Sequence, residues 1–289
     1  MSSQPETFIA AVVQMASGTS MIRNISAMEE GVREAAAAGA KYIQTPEMTG
    51  LVQQNRSQFF ASIVTQDQDP LVKAASDLAK ELSVYLHIGS TPVLAEEQRA
   101  ANRAFLFRPD GVLTARYDKI HMFDVDLDNG ERWRESAVYR PGQQAVIASV
   151  LNSRLGMGIC YDCRFPVLHT AYAKAGVPIL TSPSCFTRQT GEAHWHILMR
   201  ARAVETGSFM ISAAQGGQLE DGREAYGHSL IISPWGEILA EVENDRPGIA
   251  LAKINPEESI QARRKVPNLL NGQDFTLTEA GKADLGEVA

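Results

Sequence analysis

The chain is 289 residues long and 44% hydrophobic, enough for one large core or two ordinary domains. Its net charge of −7 gives no chain-wide attraction to nucleic acid or anionic membrane, and no apolar run approaches the roughly 20 residues that span a bilayer. The three cysteines, Cys160, Cys163 and Cys185, are too few and odd in number for a disulfide framework, and the N-terminus lacks the basic stretch and apolar core of a secretory signal, so reduced thiols in a cytoplasmic protein are expected.

Along the chain, residues 8–15 form a short apolar run that reads as a buried strand. An Ala-rich helix is expected over 20–38, capped by Ser20 or Asn24 and stopped at Gly39. A strand over 42–45 ends on Pro46 and Glu47, and a proline-opened helix at 70–82 leads into a strand at 84–88. Residues 103–107 and 112–117 flank Arg108-Pro109-Asp110-Gly111, a strong hairpin signal. The second half alternates in the same way, with strands at 145–150 and 155–159, a helix at 166–175, a strand at 177–181, an amphipathic helix at 194–205 and a strand at 209–213. A hairpin of 229–232 with 238–242 and a last strand at 248–252 follow. Alternating strands and helices with hairpins imply a layered α/β fold with mixed sheets. No linker divides the chain, so residues 1–254 are read as one domain. Residues 255–289 are read as a C-terminal extension, an arm able to pack on a neighbouring subunit.

Chemistry concentrates in the segment 155–166, where an apolar strand runs into Cys160 and a helix begins just afterwards. A helix N-terminus beside a thiol favours thiolate and offers N–H groups to an oxyanion. A buried structural cysteine is the bland alternative, since free Cys is among the most buried residue types. Glu47 and Lys119 shift the balance. Each is a charged residue just past a strand, where an α/β scaffold places reactive groups.

Together these segments resemble the nitrilase (carbon–nitrogen hydrolase) superfamily, whose catalytic set is Glu, Lys and Cys in that chain order. The resemblance runs from about residue 8 to 254. Two further stretches look like the branch of deaminated glutathione amidase and omega-amidase: Gly191 to Trp195 leading into Arg200 to Glu205, and Tyr226-Gly-His-Ser229 leading into Pro234 to Gly236. The resemblance implies a four-layer α-β-β-α sandwich of two mixed sheets, pairing of subunits into a homodimer or homotetramer, and no cofactor or metal. It makes Glu47 the general base, Cys160 the nucleophile that forms a thioester, and Lys119 with the backbone N–H of Tyr161 the oxyanion partners. Glu135 stands where this branch carries a second glutamate. Arg164, Phe186 and Thr190 match residues that line the acyl pocket, and a guanidinium suits an anionic acyl group. Arg188 is the weaker candidate there, equally consistent with a solvated face. The implied reaction is hydrolysis of a small, anionic amide. Deaminated glutathione would yield 2-oxoglutarate and cysteinylglycine; the alternatives are omega-amidase action on 2-oxoglutaramate or 2-oxosuccinamate, another small amide or N-carbamoyl compound, or a catalytically silent binding module. Cys185 stands where relatives usually have alanine, and His196 where they usually have glutamate, which puts the hydrogen bonding near the pocket in question.

Three other patterns compete. Cys160-Tyr-Asp-Cys163 is a C-x-x-C, but a redox reading explains neither Glu47 nor Lys119. Asp124 to Glu135 has calcium-loop acids but Asn129 where the required glycine belongs. His194-Trp-His196 lacks a third ligand and reads as packing or capping.

Overall fold

The computed structural model describes residues 6–127, 130 and 132–279. The first half contains β1 (Phe8–Gln14), α1 (Met21–Ala37), β2 (Tyr42–Gln44), α2 (Arg56–Ser62), α3 (Pro70–Leu82), β3 (Tyr85–Glu96), β4 (Arg99–Phe107), β5 (Leu113–Asp118) and a short hairpin, β6 (Asp124–Asp126) with β7 (Arg132–Arg134). The second contains β8 (Ile147–Val150), β9 (Ser153–Gly156), α4 (Pro166–Lys174), β10 (Ile179–Thr181), α5 (Arg188–Thr206) and β11 (Phe209–Ser212). A hairpin of β12 (Gly216–Gln218) and β13 (Glu224–Tyr226) comes next, then β14 (Leu230–Ile232), β15 (Ile238–Glu241), β16 (Gly248–Ile254) and α6 (Glu257–Lys265).

Two six-stranded mixed sheets result, in the orders β16-β1-β2-β3-β4-β5 and β15-β14-β11-β10-β9-β8. Side-chain alternation explains why β1 reads as a continuous apolar run. Phe8, Ala10 and Val12 join Tyr42, Ala104 and Leu106 in a core shared with the second sheet, whereas Ala11 and Val13 face Met28, Val32 and Ala35 of α1 and Leu71, Ala75 and Leu78 of α3. On the other side, Leu168 and Tyr172 of α4 and Trp195, Met199 and Ala203 of α5 cover the second sheet. The layers are therefore helix, sheet, sheet, helix, the expected four-layer sandwich. Each large side chain buried this way stabilises the fold by about 1.5–3 kcal/mol.

Local signals place most helix starts. Asp69 caps α3 by accepting from the N–H groups of Leu71 and Val72, with Pro70 in the first turn. Ser20 does precede α1 but makes no side-chain cap bond, and Asn24 is no cap either. Asn24 is buried, with its amide donating to the carbonyls of Gly18 and Gly50. The helix expected to begin at 194 starts instead at Arg188, because the hydroxyl of Thr187 accepts from Thr190 N–H and caps it six residues earlier. Residues 257–265 are helical although polar, because α6 buries Ser259 and Ala262 and its Arg263 donates to the carbonyls of Thr206 and Val177.

Candidate active site

Parallel strands end on the same edge of a sheet. In the first sheet β5 runs parallel to β2 through two antiparallel steps, so Glu47 after β2 and Lys119 after β5 emerge together. In the second sheet β9, β10 and β11 are parallel, and they lead to Cys160, to the 183–190 loop and to Gln215. The sheets meet there through the bridge of Met15 with Gln215.

Glu47 sits in a tightly held turn. Met48 has φ +59°, a left-handed conformation that costs a non-glycine residue free energy. Met48 N–H donates to the Ser90 hydroxyl, and the Gln215 amide donates to the carbonyl of Glu47. The glycine at 89 permits this close approach, since a Cβ would lie 2.2 Å from the carbonyl oxygen of Thr45 and something would have to shift.

The nucleophile candidate is also in a strained turn. Cys160 has φ +47°, and its N–H donates to the carbonyl of Pro183 at 2.9 Å. The buried carboxylate of Asp162 braces this turn. It accepts from Ile159 N–H at 2.9 Å, the Tyr117 hydroxyl at 2.7 Å and His121 N–H at 3.0 Å. A 3₁₀ turn over Cys160–Arg164 separates Cys160 from α4, so the thiol does not face an α-helix N-terminus as expected from the sequence.

Lys119 is almost completely buried. Its Nζ lies 2.9 Å from Glu47 Oε1 and 2.8 Å from Glu135 Oε2. Asn102 donates to both carboxylates, at 2.9 Å to Glu47 Oε1 and 3.2 Å to Glu135 Oε1. Glu135 Oε2 also accepts from Phe123 N–H, and Glu47 Oε2 from Cys185 N–H at 2.8 Å. Burial opposes the charge on Lys119, but Glu135, Glu47 and Cys160 more than reverse this and hold its pKa well above the usual value. Burial, reinforced by the Glu47 charge, pushes the Cys160 thiol well above its usual range, although Lys119 pulls the other way. In place of the thiolate expected at a helix terminus, the free site holds a neutral thiol next to an ammonium and carboxylates.

Glu47, Lys119, Glu135, Cys160 and Cys185 line a cavity of about 760 Å³, which also includes Tyr161, Arg164, Phe186 and Thr190. Every residue singled out from the sequence for catalysis or acyl binding is thus brought together. Arg164 stacks 5.5 Å over the Phe186 ring and 5.9 Å over Tyr161, and makes no carboxylate pair among the described residues. Thr190 hydrogen-bonds Thr187 at 2.8 Å. Arg188 also lines the cavity but is paired with Asp245 at 2.9 Å and flanked by Glu192 and Glu224. His196 is not among the lining residues, and its Nε2 is 2.7 Å from Glu241 Oε1. His194 Nδ1 contacts Arg164 instead. Cys185 engages Glu47 through its backbone, a contact any side chain would permit. Cys163 is fully buried and outside the cavity lining. Of the calcium-loop residues, Asp128 and Asn129 lie outside the described residues, while the Asp126 carboxylate is taken by Arg134 and Asp124 accepts from Ser136 N–H.

Asn102, Gln215 and Arg223 were not evident from the sequence. Arg223 lines the cavity 5.4 Å over the Trp133 ring and pairs with Asp221. Asp162 lies in plain view within the cysteine motif, but nothing local reveals its bracing role.

Residues 9–264 match the family described as carbon-nitrogen hydrolase. The chain belongs to the carbon–nitrogen hydrolase family. It is a hydrolase acting on carbon–nitrogen bonds other than peptide bonds. It is 35% identical over 268 residues to the deaminated glutathione amidase of Synechocystis sp., covering 91% of this chain and 97% of that protein. It is 32% identical to omega-amidase NIT2 of Homo sapiens, covering 90% and 93%. Among solved structures, Saccharomyces cerevisiae Nit3, a member of branch 10 of the nitrilase superfamily, superposes with a TM-score of 0.82 at 27% identity, covering 94% of this chain and 99% of that one. The C. elegans NitFhit protein gives 0.85 at 28% identity; 94% of this carbon–nitrogen hydrolase is covered, but it spans only 66% of that longer chain. No helix among the described residues is long and apolar enough to cross a membrane.

Proposed function

We propose that this hydrolase is a cysteine-dependent amidase that cleaves deaminated glutathione to 2-oxoglutarate and cysteinylglycine. The supporting observation is a buried lysine bracketed by two carboxylates beside a thiol, within one cavity. Glu47 takes the Cys160 proton as Sγ attacks the amide carbon. Lys119 Nζ and the Tyr161 backbone N–H stabilise the oxyanion, a contribution of about 3 kcal/mol per donor. The proton passes to the departing amine, with Glu135 holding Lys119 in place, and an acyl thioester remains. Glu47 then activates water, which releases the carboxylic acid and restores the thiol. Arg164 supplies the cation for the acyl carboxylate, with Phe186 and Thr190 shaping that end.

Omega-amidase action on 2-oxoglutaramate shares the acyl half and differs in the leaving amine. Similarity to the deaminated glutathione amidase of Synechocystis sp. supports the first substrate, and a cavity of about 760 Å³ has room for its larger leaving amine. The same reading carries a cytoplasmic homodimer or homotetramer with no resident cofactor, and a C-terminal extension after 254 that packs on a neighbouring subunit. Measuring kcat/KM for both substrates on one preparation tests the assignment. Deaminated glutathione is expected to be preferred. A preference for 2-oxoglutaramate would transfer the reading to omega-amidase, and turnover of neither would remove both.

A further inference from the structure

Asn102 lies in β4, inside the molecule and 1% exposed, and was not among the residues singled out from the sequence. Its backbone carbonyl accepts Lys119 N–H at 2.9 Å, so it fixes the main chain of the lysine. Its Nδ2 donates to Glu47 Oε1 and Glu135 Oε1, the two carboxylates that Lys119 Nζ contacts. The two N–H bonds of one amide thus serve one carboxylate each. The orientation of the amide follows from charge: turned over, its oxygen would face two anions. Its Oδ1 is buried with no hydrogen-bond partner among the described residues. Leaving an acceptor unsatisfied costs free energy, and such exceptions in a folded core call for a reason.

Two carboxylates that share one ammonium repel each other, and a donor that reaches both holds them together. We propose that Asn102 is a positioning residue that ties Glu47 and Glu135 together around Lys119, so that Glu47 is held in place to act as base. This rests on the cysteine-amidase reading above. The other titratable or charged groups around the pair are Cys160, Cys185, Tyr139 and Arg223. None of these is seen in the structure as a hydrogen-bond donor to both carboxylates.

The test compares the wild-type enzyme with Asn102→Leu and Asn102→Asp, each near the native side-chain size. Fold is checked by circular dichroism and thermal melting, and kcat and KM are measured from about pH 5 to 9, to span both limbs of an acid–base rate profile. Loss of hydrogen bonds to charged groups should lower kcat about tenfold to a hundredfold, with KM altered far less. The acid limb of kcat/KM should move to higher pH by about one unit in Asn102→Leu, and further in Asn102→Asp, which adds a third carboxylate. If Asn102→Leu does not fold, the shift in Asn102→Asp decides. An acid limb that stays put in the folded variants overturns the proposal, even if kcat falls in step with stability, because that pattern marks a purely structural side chain. Full activity in Cys160→Ala would instead overturn the underlying thiol mechanism and leave the Asn102 comparison to be read separately.

Discussion

The thiol of Cys160 is held neutral at rest, because burial and the Glu47 charge outweigh the pull of Lys119. In the proposed mechanism, nucleophilicity then depends on proton transfer at the moment of attack rather than on a standing thiolate. Cys160→Ala is expected to fold with an unchanged circular dichroism spectrum and lose turnover; measurable hydrolysis by a homogeneous preparation would contradict the mechanism. Arg164 is a cavity cation that no carboxylate neutralises among the described residues, and the proposed reading assigns it to the acyl end. Arg164→Ala should raise KM about tenfold to a hundredfold, the worth of a charge-assisted hydrogen bond, while kcat changes less. Steady-state kinetics with an anionic amide, and with a neutral amide as control, check this. An equal effect on both would remove Arg164 from carboxylate recognition.

At the scale of elements, the strand ends and the turns after them carry the design. The turn at Met48 and the turn at Cys160 are both left-handed, and each is held by bonds from another segment, Ser90 and Gln215 for the first and Pro183 for the second, which Asp162 also braces from within. Gly89 of β3 sits where the two turns approach. An added Cβ would lie 2.2 Å from Thr45 O and 2.4 Å from Pro183 Cβ, so Gly89→Ala must push the Glu47 segment away from the Cys160 segment. The expected cost is about 1–3 kcal/mol of stability, typical of overpacking, together with a fall in kcat greater than the loss of folded protein explains. Urea unfolding and active-site titration on one sample separate the two; unchanged kcat per folded molecule would show that the turn tolerates the displacement.

Across the whole molecule, two buried histidines tie stability to pH. Burial lowers His87, in the core beside Tyr42 and Gln44, to about 3, and lowers His169 of α4 to about 4. Both folded values lie below the unfolded value of about 6.5. The neutral forms favour the fold, so their contribution is complete above about pH 6.5 and is lost as pH falls toward the folded values. By about pH 5 each should have cost up to about 2 kcal/mol relative to neutral pH. The urea midpoint is expected to drop between about pH 7 and about pH 5, and less so in His87→Gln. A midpoint that is flat across this window would show that the histidines are already relieved in another way.

Much of this enzyme was readable along the chain because the signals are local. Apolar runs, the Pro70 and Gly39 boundaries and the Arg108-Pro109-Asp110-Gly111 turn depend on neighbours a few residues away, and they recovered most strands and the two helical layers. Glu47, Lys119 and Cys160 were legible because each follows a strand, a property of its own segment. The start of α5 was misplaced because apolar periodicity begins near His194, whereas the Thr187 cap that sets the start is a single hydroxyl. The α6 helix escaped because its stability comes from contacts of Ser259, Ala262 and Arg263 with distant backbone, not from its polar sequence. Long-range packing alone decided the protonation of Cys160, the bracing by Asp162 and the bridging by Asn102. The partners of Asn102 lie 55 and 33 positions away, and only the close approach of β4 to both carboxylate segments turns an unremarked strand asparagine into part of the site.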